Sequence, residues 1–358
     1  MMEIRIAWSP GEARIAAMDG DTLQDFALWR PGKPDGYGDR HAVRILKSAE
    51  NMGGAFVSLA DGSDGFLTGQ HAVGDLVSAL VVRSPQGGKG LRLKPIEMAH
   101  AATEPALLAR GPTPLETIAA RYPDAPILID EPAVAARIPA SLRARIVRTP
   151  AAFDAHVTAL CDALSEPVTE LKGGVRATFT PTPALMAIDL DCPENTDRRS
   201  RATAQAGVNM AAFPDLCREI RLRNLSGAIL IDPAGVTPRK RPALVPPLRE
   251  ALQHDPMKPQ ALGATALGLL EVVRTRSRPP LHELLNAPHG IGLSALRQII
   301  AQRPTGAPPP PTLKAAISVV RALETDTVAL DSFSTTYGTP LRLELAPDYP
   351  VNYWSLHI

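Results

Sequence analysis

The sequence predicts an α/β multidomain protein that carries a small β-barrel of the OB type among its α/β segments. Three observations lead to this. Five short, glycine-rich apolar runs crowd into residues 37–94. From residue 113 onward, apolar runs of strand length alternate with stretches of helical period. Two of those runs, Ala187-Ile188-Asp189-Leu190-Asp191 and Ala228-Ile229-Leu230-Ile231-Asp232, each end in a carboxylate, the way a buried strand delivers an acid to the edge of its sheet.

Residues 3–29 read as a meander. Ile4, Ile6 and Trp8 alternate with polar positions, Ser9-Pro10-Gly11 turns, Ala13 to Met18 runs back, and Asp19-Gly20-Asp21 turns again before Leu23 to Trp29. The cluster Pro31-Gly32-Lys33-Pro34-Asp35-Gly36 marks a boundary. The barrel strands follow at Ala42–Leu46, Gly54–Leu59, Gly65–Leu67, Leu76–Arg83 and Leu91–Leu93, as a small closed barrel requires. Barrels of this kind hold single-stranded nucleic acid by stacking bases on exposed aromatics beside basic residues. The candidates are Phe56, Phe66 and Lys89, although a lone Phe in a strand is usually core and a lysine in such a loop is more often a solvated residue.

Residues 95–112, rich in Ala, read as a short helix or linker. Thr113 followed by Pro114 starts a helix. Ala125–Asp130 and Ile146–Arg148 read as strands with a helical run between them, and Ala152–Leu164 carries Phe153, Val157, Leu160 and Leu164 on one helical face. Strands at Glu170–Lys172, Val175–Phe179 and Ala184–Asp191 come next, followed by a polar loop from Cys192 and a helix from Gly207 to Arg223. Strand, helix, strand predicts a parallel, buried pairing that brings Asp189 and Asp232 out at one end of neighbouring strands. Pro242–Gln253 reads as helix and Leu267–Val273 as strand. The tail reads as helix (Leu296–Ala301), a Pro308–Pro311 loop, helix (Leu313–Leu323) and strands at Thr327–Asp331, Leu341–Leu345 and Tyr353–Ile358.

The totals narrow the function. A net charge of +1, with 45% apolar and 21% charged residues, excludes a disordered or strongly basic chain, so any nucleic-acid contact rests on local charge. The 36 prolines are about twice the usual share. Cys161, Cys192 and Cys217 are odd in number, far apart and without Cys-x-x-Cys spacing, which argues against a disulfide scaffold and a thiolate zinc site. The N-terminus lacks a secretory apolar core and no stretch reaches eighteen apolar residues, so the expectation is a cytoplasmic protein without a membrane partner. A single Asp at a strand end reads as a turn or cap residue. Two acids delivered this way can share a divalent metal.

Taken together, these runs resemble the ribonuclease E/G family of bacterial endoribonucleases. Ser9-Pro10-Gly11-Glu12-Ala13-Arg14 through Asp25 is similar to the family's opening hairpins. Gly54-Ala55-Phe56-Val57, Asp64-Gly65-Phe66-Leu67 and Gly88-Lys89-Gly90 resemble its S1-type barrel. Gly173-Gly174 with Ala187–Asp191 resembles its catalytic strand. Arg218-Glu219-Ile220-Arg221-Leu222-Arg223-Asn224-Leu225-Ser226-Gly227 leading into Ala228–Asp232 is the most specific part. Gly268-Leu269-Leu270-Glu271-Val272 and the closing Pro347–Ile358 also fit.

The resemblance implies an RNase H-like subdomain from residues 1–35 with 112–170, an S1-type OB barrel at 36–95, a DNase I-like catalytic subdomain at 171–283 and a small C-terminal α/β domain at 290–358. It implies magnesium (or manganese) held by Asp189 and Asp232, with Asp191 supporting them where the family usually has Asn and Lys258 near the family's phosphate-meeting Arg. Phe56, Phe66, Lys89, Arg221 and Arg223 would grip single-stranded RNA. The chemistry is hydrolysis of a phosphodiester by metal-activated water.

Four departures stand beside the likeness. The family's Cys-x-x-Cys zinc link is replaced by Leu284-Leu285-Asn286-Ala287-Pro288-His289-Gly290, which implies no zinc and no zinc-linked tetramer, leaving a monomer or dimer. The segment after the barrel is short, which implies loss of the pocket for a 5′ monophosphate, and Arg148-Thr149 reads as a coincidental match to that pocket. Cys192-Pro193-Glu194 replaces a Gly-containing loop. Gly235 stands where the family has a further Asp. The expected function is a magnesium-dependent endoribonuclease without 5′-end sensing, and the alternative is a degenerate RNA-binding or ribosome-associated relative.

Overall fold

The computed structural model describes residues 1–97, 102–192, 201–303 and 311–357. The chain divides into two compact units, one of residues 1–85, 90–158 and 282–358, the other of residues 86–89 and 159–281.

In the first unit the meander forms as its alternation predicts: β1 (Met2–Ser9), β2 (Glu12–Asp19) and β3 (Thr22–Trp29) pair antiparallel in sequence. Ile4, Ile6 and Ile15 are fully buried. The barrel strands are β4 (Arg40–Ala49), β5 (Gly54–Ser58), β6 (Asp64–Thr68), β7 (Leu76–Arg83) and β8 (Leu91–Pro95). They follow the order β5-β6-β8-β7-β4 and close through β4–β5, with β6 and β8 parallel. Its interior is Val43, Ile45, Ala55, Val57, Leu67, Val81 and Leu93 with their neighbours. This is the predicted closed OB-type barrel.

Residues 95–112 differ from the expected helix or linker. Ala106–Ala109 is a strand, β9, paired with the start of β4. An Ala-rich run satisfies its backbone more cheaply against an open strand edge than as an isolated short helix. Helix α1 (Pro114–Arg121) begins with a full capping box, Thr113 Oγ1 accepting from Glu116 N and Glu116 accepting from Thr113 N. Strands β10 (Ile127–Ile129) and β11 (Ile146–Arg148), separated by the short helix α2 (Pro132–Ala135), add parallel to β1.

The second unit contains most of α3 (Ala155–Ala163) and a six-stranded sheet. Its strands are β12 (Val168–Leu171), β13 (Val175–Pro181), β14 (Leu185–Asp191), β15 (Gly227–Asp232), β16 (Gln260–Ala264) and β17 (Leu270–Arg274). The order is β12-β13-β14-β15-β17-β16. Helix α4 (Arg201–Leu222) connects β14 to β15 and, with α5 (Val245–Leu252), covers one face over Ile188, Leu190, Ile229 and Ile231. The pairing of β14 and β15 is parallel as predicted, but the sheet is buried on one face only. Asp189 and Asp191 are exposed on the other, so the run that reads as a fully buried strand is an alternating one.

The tail returns to the first unit. Helices α6 (Leu281–Asn286) and α7 (Pro288–Ala301) precede β18 (Thr312–Ala315), α8 (Ile317–Glu324), α9 (Thr327–Tyr337), β19 (Arg342–Leu345) and β20 (Trp354–His357). Two expectations are corrected. Leu313 lies in a strand that precedes the helix, and Thr327–Asp331 opens a helix where a strand was expected. The β-branched start misleads there: Asp326 caps Ala329 N, Gly338 ends the helix in left-handed conformation, and Ala329, Phe333 and Tyr337 bury at helical spacing. Pro193-Glu194, most of the Pro308–Pro311 loop and Ile358 lie outside the described residues. Among the described residues no helix is long and apolar enough to cross a membrane.

Candidate functional site

Strands β14 and β15 place Asp189 directly beside Asp232, the last pair of a register that starts at Leu185 and Ala228. Adjacent strands stand about 4.8 Å apart, and because side chains alternate, Asp189, Asp191 and Asp232 share the open face. Three carboxylates so close repel one another. Partial burial first, and then the charges of Asp191 and Asp232, push the Asp189 carboxyl above its ordinary pKa, with Arg176 partly offsetting them.

Two arginines answer the other acids. Arg176, opposite Asp191 across β13 and β14, donates Nη2 to Asp191 Oδ2 at 2.7 Å. Arg241, in the 3-10 turn Pro238–Leu244, donates Nη1 to Asp232 Oδ1 at 2.6 Å. Asp189 makes no hydrogen bond or ion pair among the described residues. The donor set is all oxygen, as a hard cation requires. No group of three or more His, Cys, Asp or Glu among the described residues is arranged to hold a metal. The site therefore offers a carboxylate pair, and one or two carboxylates are the usual protein ligands of magnesium, which keeps several waters besides. Asp189 and Oδ2 of Asp232 are the oxygens that could hold such an ion.

Lys258, expected near the phosphate, and Arg221 and Arg223, expected to grip RNA, all lie away from the acid pair. Lys258 lies in an exposed turn just before β16, whose first residue Gln260 pairs with Val273, itself paired with Ala228. That is the end of the sheet away from Asp189 and Asp232, so Lys258 is not brought to the acids. Arg221 lies in the last turn of α4, at that same far end. Arg223 is buried and spent internally, bonding Glu219 at 3.0 Å and the carbonyls of Leu164 and Glu166 at 2.8 and 2.6 Å, with its guanidinium over Phe179. Its placement is that of a structural tie.

The barrel presents a second constellation. Lys47, Phe56, Phe66, Arg92 and Arg83 are successive register partners across β4, β5, β6, β8 and β7. Their chain neighbours Ala55, Val57, Leu67 and Leu93 fill the interior, so this row faces outward. Phe56 is 40% exposed, and its ring meets Phe66 edge to face with centroids 5.6 Å apart. The Arg92 guanidinium lies 5.9 Å from the Phe66 ring centre. Lys89 is exposed in the turn 86–89, where it and Gln86 exchange backbone hydrogen bonds at 3.0 Å, and Gln86 Nε2 donates to Ser277 O at 3.1 Å.

Sequence reasoning missed Arg176, Arg241, Lys47 and Arg92. A signal for Arg176 existed: the turn Thr182–Ala184 fixes the β13–β14 register and sets Arg176 opposite Asp191. Lys47 and Arg92 become visible only once strand order is known. Arg241 arrives from a loop nine residues past Asp232, which no periodicity places.

The ribonuclease E/G family matches residues 134–277, which hold the acid-bearing strands. Ribonuclease E of Synechocystis is 30% identical over 124 residues, 34% of this chain and 18% of that protein. Ribonuclease E of Escherichia coli is 34% identical over 114 residues, 32% of this chain and 11% of that protein. Ribonuclease G of Escherichia coli is 31% identical over 117 residues, 32% of this chain and 24% of its own length. The matched stretch thus spans less than a quarter of these relatives.

Proposed function

Residues 134–277 belong to the ribonuclease E/G family, and on that premise we propose that the protein is a magnesium-dependent endoribonuclease that hydrolyses phosphodiester bonds in single-stranded RNA. The observation that carries the reading is the in-register pair Asp189 and Asp232 on the open end of adjacent parallel strands. In this reading the first sheet is RNase H-like, the barrel S1-type and the acid-bearing sheet DNase I-like.

Asp189 and Asp232 would hold the ion, with manganese able to replace magnesium and no zinc needed. A bound magnesium would supply neutralisation of developing phosphate charge and a water of lowered pKa. The chain's own parts are separate. Asp191 is paired with Arg176, which would keep its carboxylate from serving as a further ligand. The barrel row supplies stacking faces and cations for an extended strand, about 1–3 kcal/mol per stacked base. The short stretch between β9 and β10 supports cleavage without recognition of a 5′ monophosphate.

The test is incubation of the full chain with a fluorescent single-stranded RNA and magnesium, beside D189A and D232A. Cleavage by the parent chain alone is expected, at equal rates for 5′-phosphorylated and 5′-hydroxyl RNA. Identical product patterns from parent and variants would sink the reading.

A second reading, a relative that binds RNA without cutting it, rests on Gly235. This residue has φ +63, a backbone conformation that L side chains rarely adopt, so the turn three residues past Asp232 is built on glycine and supplies no further carboxylate. RNA binding without magnesium and no product after long incubation would favour it.

A further inference from the structure

The two arginines at the acid pair carry the same charge but are built differently. Arg176 is 64% exposed and, among the described residues, reaches one partner, Asp191, itself 51% exposed. Arg241 is 13% exposed. Its Nε donates to Val236 O at 2.6 Å, and its Nη1 reaches both Asp232 Oδ1 at 2.6 Å and Gly268 O at 3.4 Å. Val236 follows β15, and Gly268 lies in the turn between β16 and β17, so one guanidinium ties two loops to the acid. The turn closes directly on it: a Cβ on Gly268, whose φ is +90, would stand 2.7 Å from Arg241 Cδ.

The geometry points to Arg241 as the positioning residue of Asp232, taking Oδ1, fixing the rotation of the carboxylate and leaving Oδ2 as the oxygen offered to a divalent cation. This rests on the metal-site reading above. Partners that orient a ligating carboxylate contribute to metal affinity although they never touch the ion. An arginine beside a ligand also repels a dication, so charge and orientation act in opposite directions. Arg176 separates the two, because it brings the charge without the clamp.

The experiment is calorimetric titration of the full chain with Mn2+, for the parent, D189A, R176A, R241A and R241K, each with a thermal melt. R176A is expected to bind the ion about threefold more tightly, because a screened positive charge near the site is gone. R241A is expected to bind it about 10- to 100-fold more weakly, although the same charge is removed. R241K keeps the charge but cannot serve a carboxylate and carbonyls with one planar fork, and is expected to weaken binding as well. If R241A loses its cooperative melt, R241K decides. Tightening in R241A, or parent-like affinity in R241K, reduces Arg241 to a counter-charge and overturns the inference. A parent chain that binds Mn2+ no better than D189A overturns the metal site itself.

Discussion

Asp189 and Asp232 stand side by side across β14 and β15, yet among the described residues only Asp232 is ion-paired. Asp189 is left beside two other carboxylates whose repulsion Arg176 offsets only in part, an arrangement that costs the folded chain stability. Groups arranged at that cost mark sites better than groups that pair fully, because folding alone would not select them.

The cost predicts a pH-dependent gain for Asp189→Asn. The Asp189 carboxyl has a raised pKa in the folded chain, so its contribution to stability is present below the unfolded value of 3.8 and is lost as pH rises through the folded value. Without divalent ions, D189N should melt higher than the parent at pH 7, and the difference should vanish below about pH 4. Adding Mn2+ should raise the melting temperature of the parent and leave D189N unmoved. A D189N variant that melts lower at pH 7 would remove the electrostatic account.

The barrel row predicts separable losses. Phe56→Ala should weaken single-stranded RNA binding by about 1–3 kcal/mol, with little change in melting because the ring is largely on the surface. Arg92→Ala should weaken binding less at high salt than at low, reducing the slope of log affinity against log salt by about one. Fluorescence anisotropy across a salt series reads both. An unchanged affinity in F56A would place the RNA path elsewhere.

Much of this was legible in the chain, for reasons tied to particular residues. The parallel pairing of β14 with β15, and so the meeting of Asp189 with Asp232, follows from two apolar runs joined by an amphipathic helix. Alternation through Phe56 and Phe66 places both on one side of their strands. What could not be read required knowledge of which loop reaches which strand end. Lys258 falls near the family's phosphate-meeting Arg in sequence position, but the strand it introduces begins at the far end of the sheet. Arg223 looks like a basic residue free for RNA, yet local carbonyls and Glu219 saturate its guanidinium. The helix at Thr327 was hidden by β-branched residues, whose weak propensity is outweighed by an Asp cap and a buried Phe333 and Tyr337.

Gly268 tests whether the turn over Arg241 is as tight as its contacts show. Its φ of +90 is one that L side chains rarely adopt, and an added Cβ would meet Arg241 Cδ at 2.7 Å and Pro238 Cα at 3.0 Å. Gly268→Ala should cost about 1–3 kcal/mol from the backbone alone. Because Arg241 is displaced, Mn2+ affinity should fall in the same direction as in R241A. Calorimetry and melting together distinguish this from general destabilisation: G268A with a lowered melt but parent-like Mn2+ affinity would show that the turn and the metal ligand are independent.

Arg223 gives the sharpest contrast between a residue that reads as RNA-binding and one that is structural. Its guanidinium is buried, and it satisfies the carbonyls of Leu164 and Glu166, pairs with Glu219 and covers the Phe179 ring. Removing it leaves buried acceptors and a carboxylate unanswered, a loss of about 3–5 kcal/mol for a broken buried pair. Arg223→Ala should therefore melt well below the parent, and R223K should recover little, since an ammonium cannot reach three acceptors in one plane. At temperatures where R223A is still folded, its RNA affinity and salt slope should match the parent, because the side chain does not reach solvent. A salt slope reduced by about one, with unchanged melting, would instead return Arg223 to the RNA path and require the α4–β15 junction to open on binding.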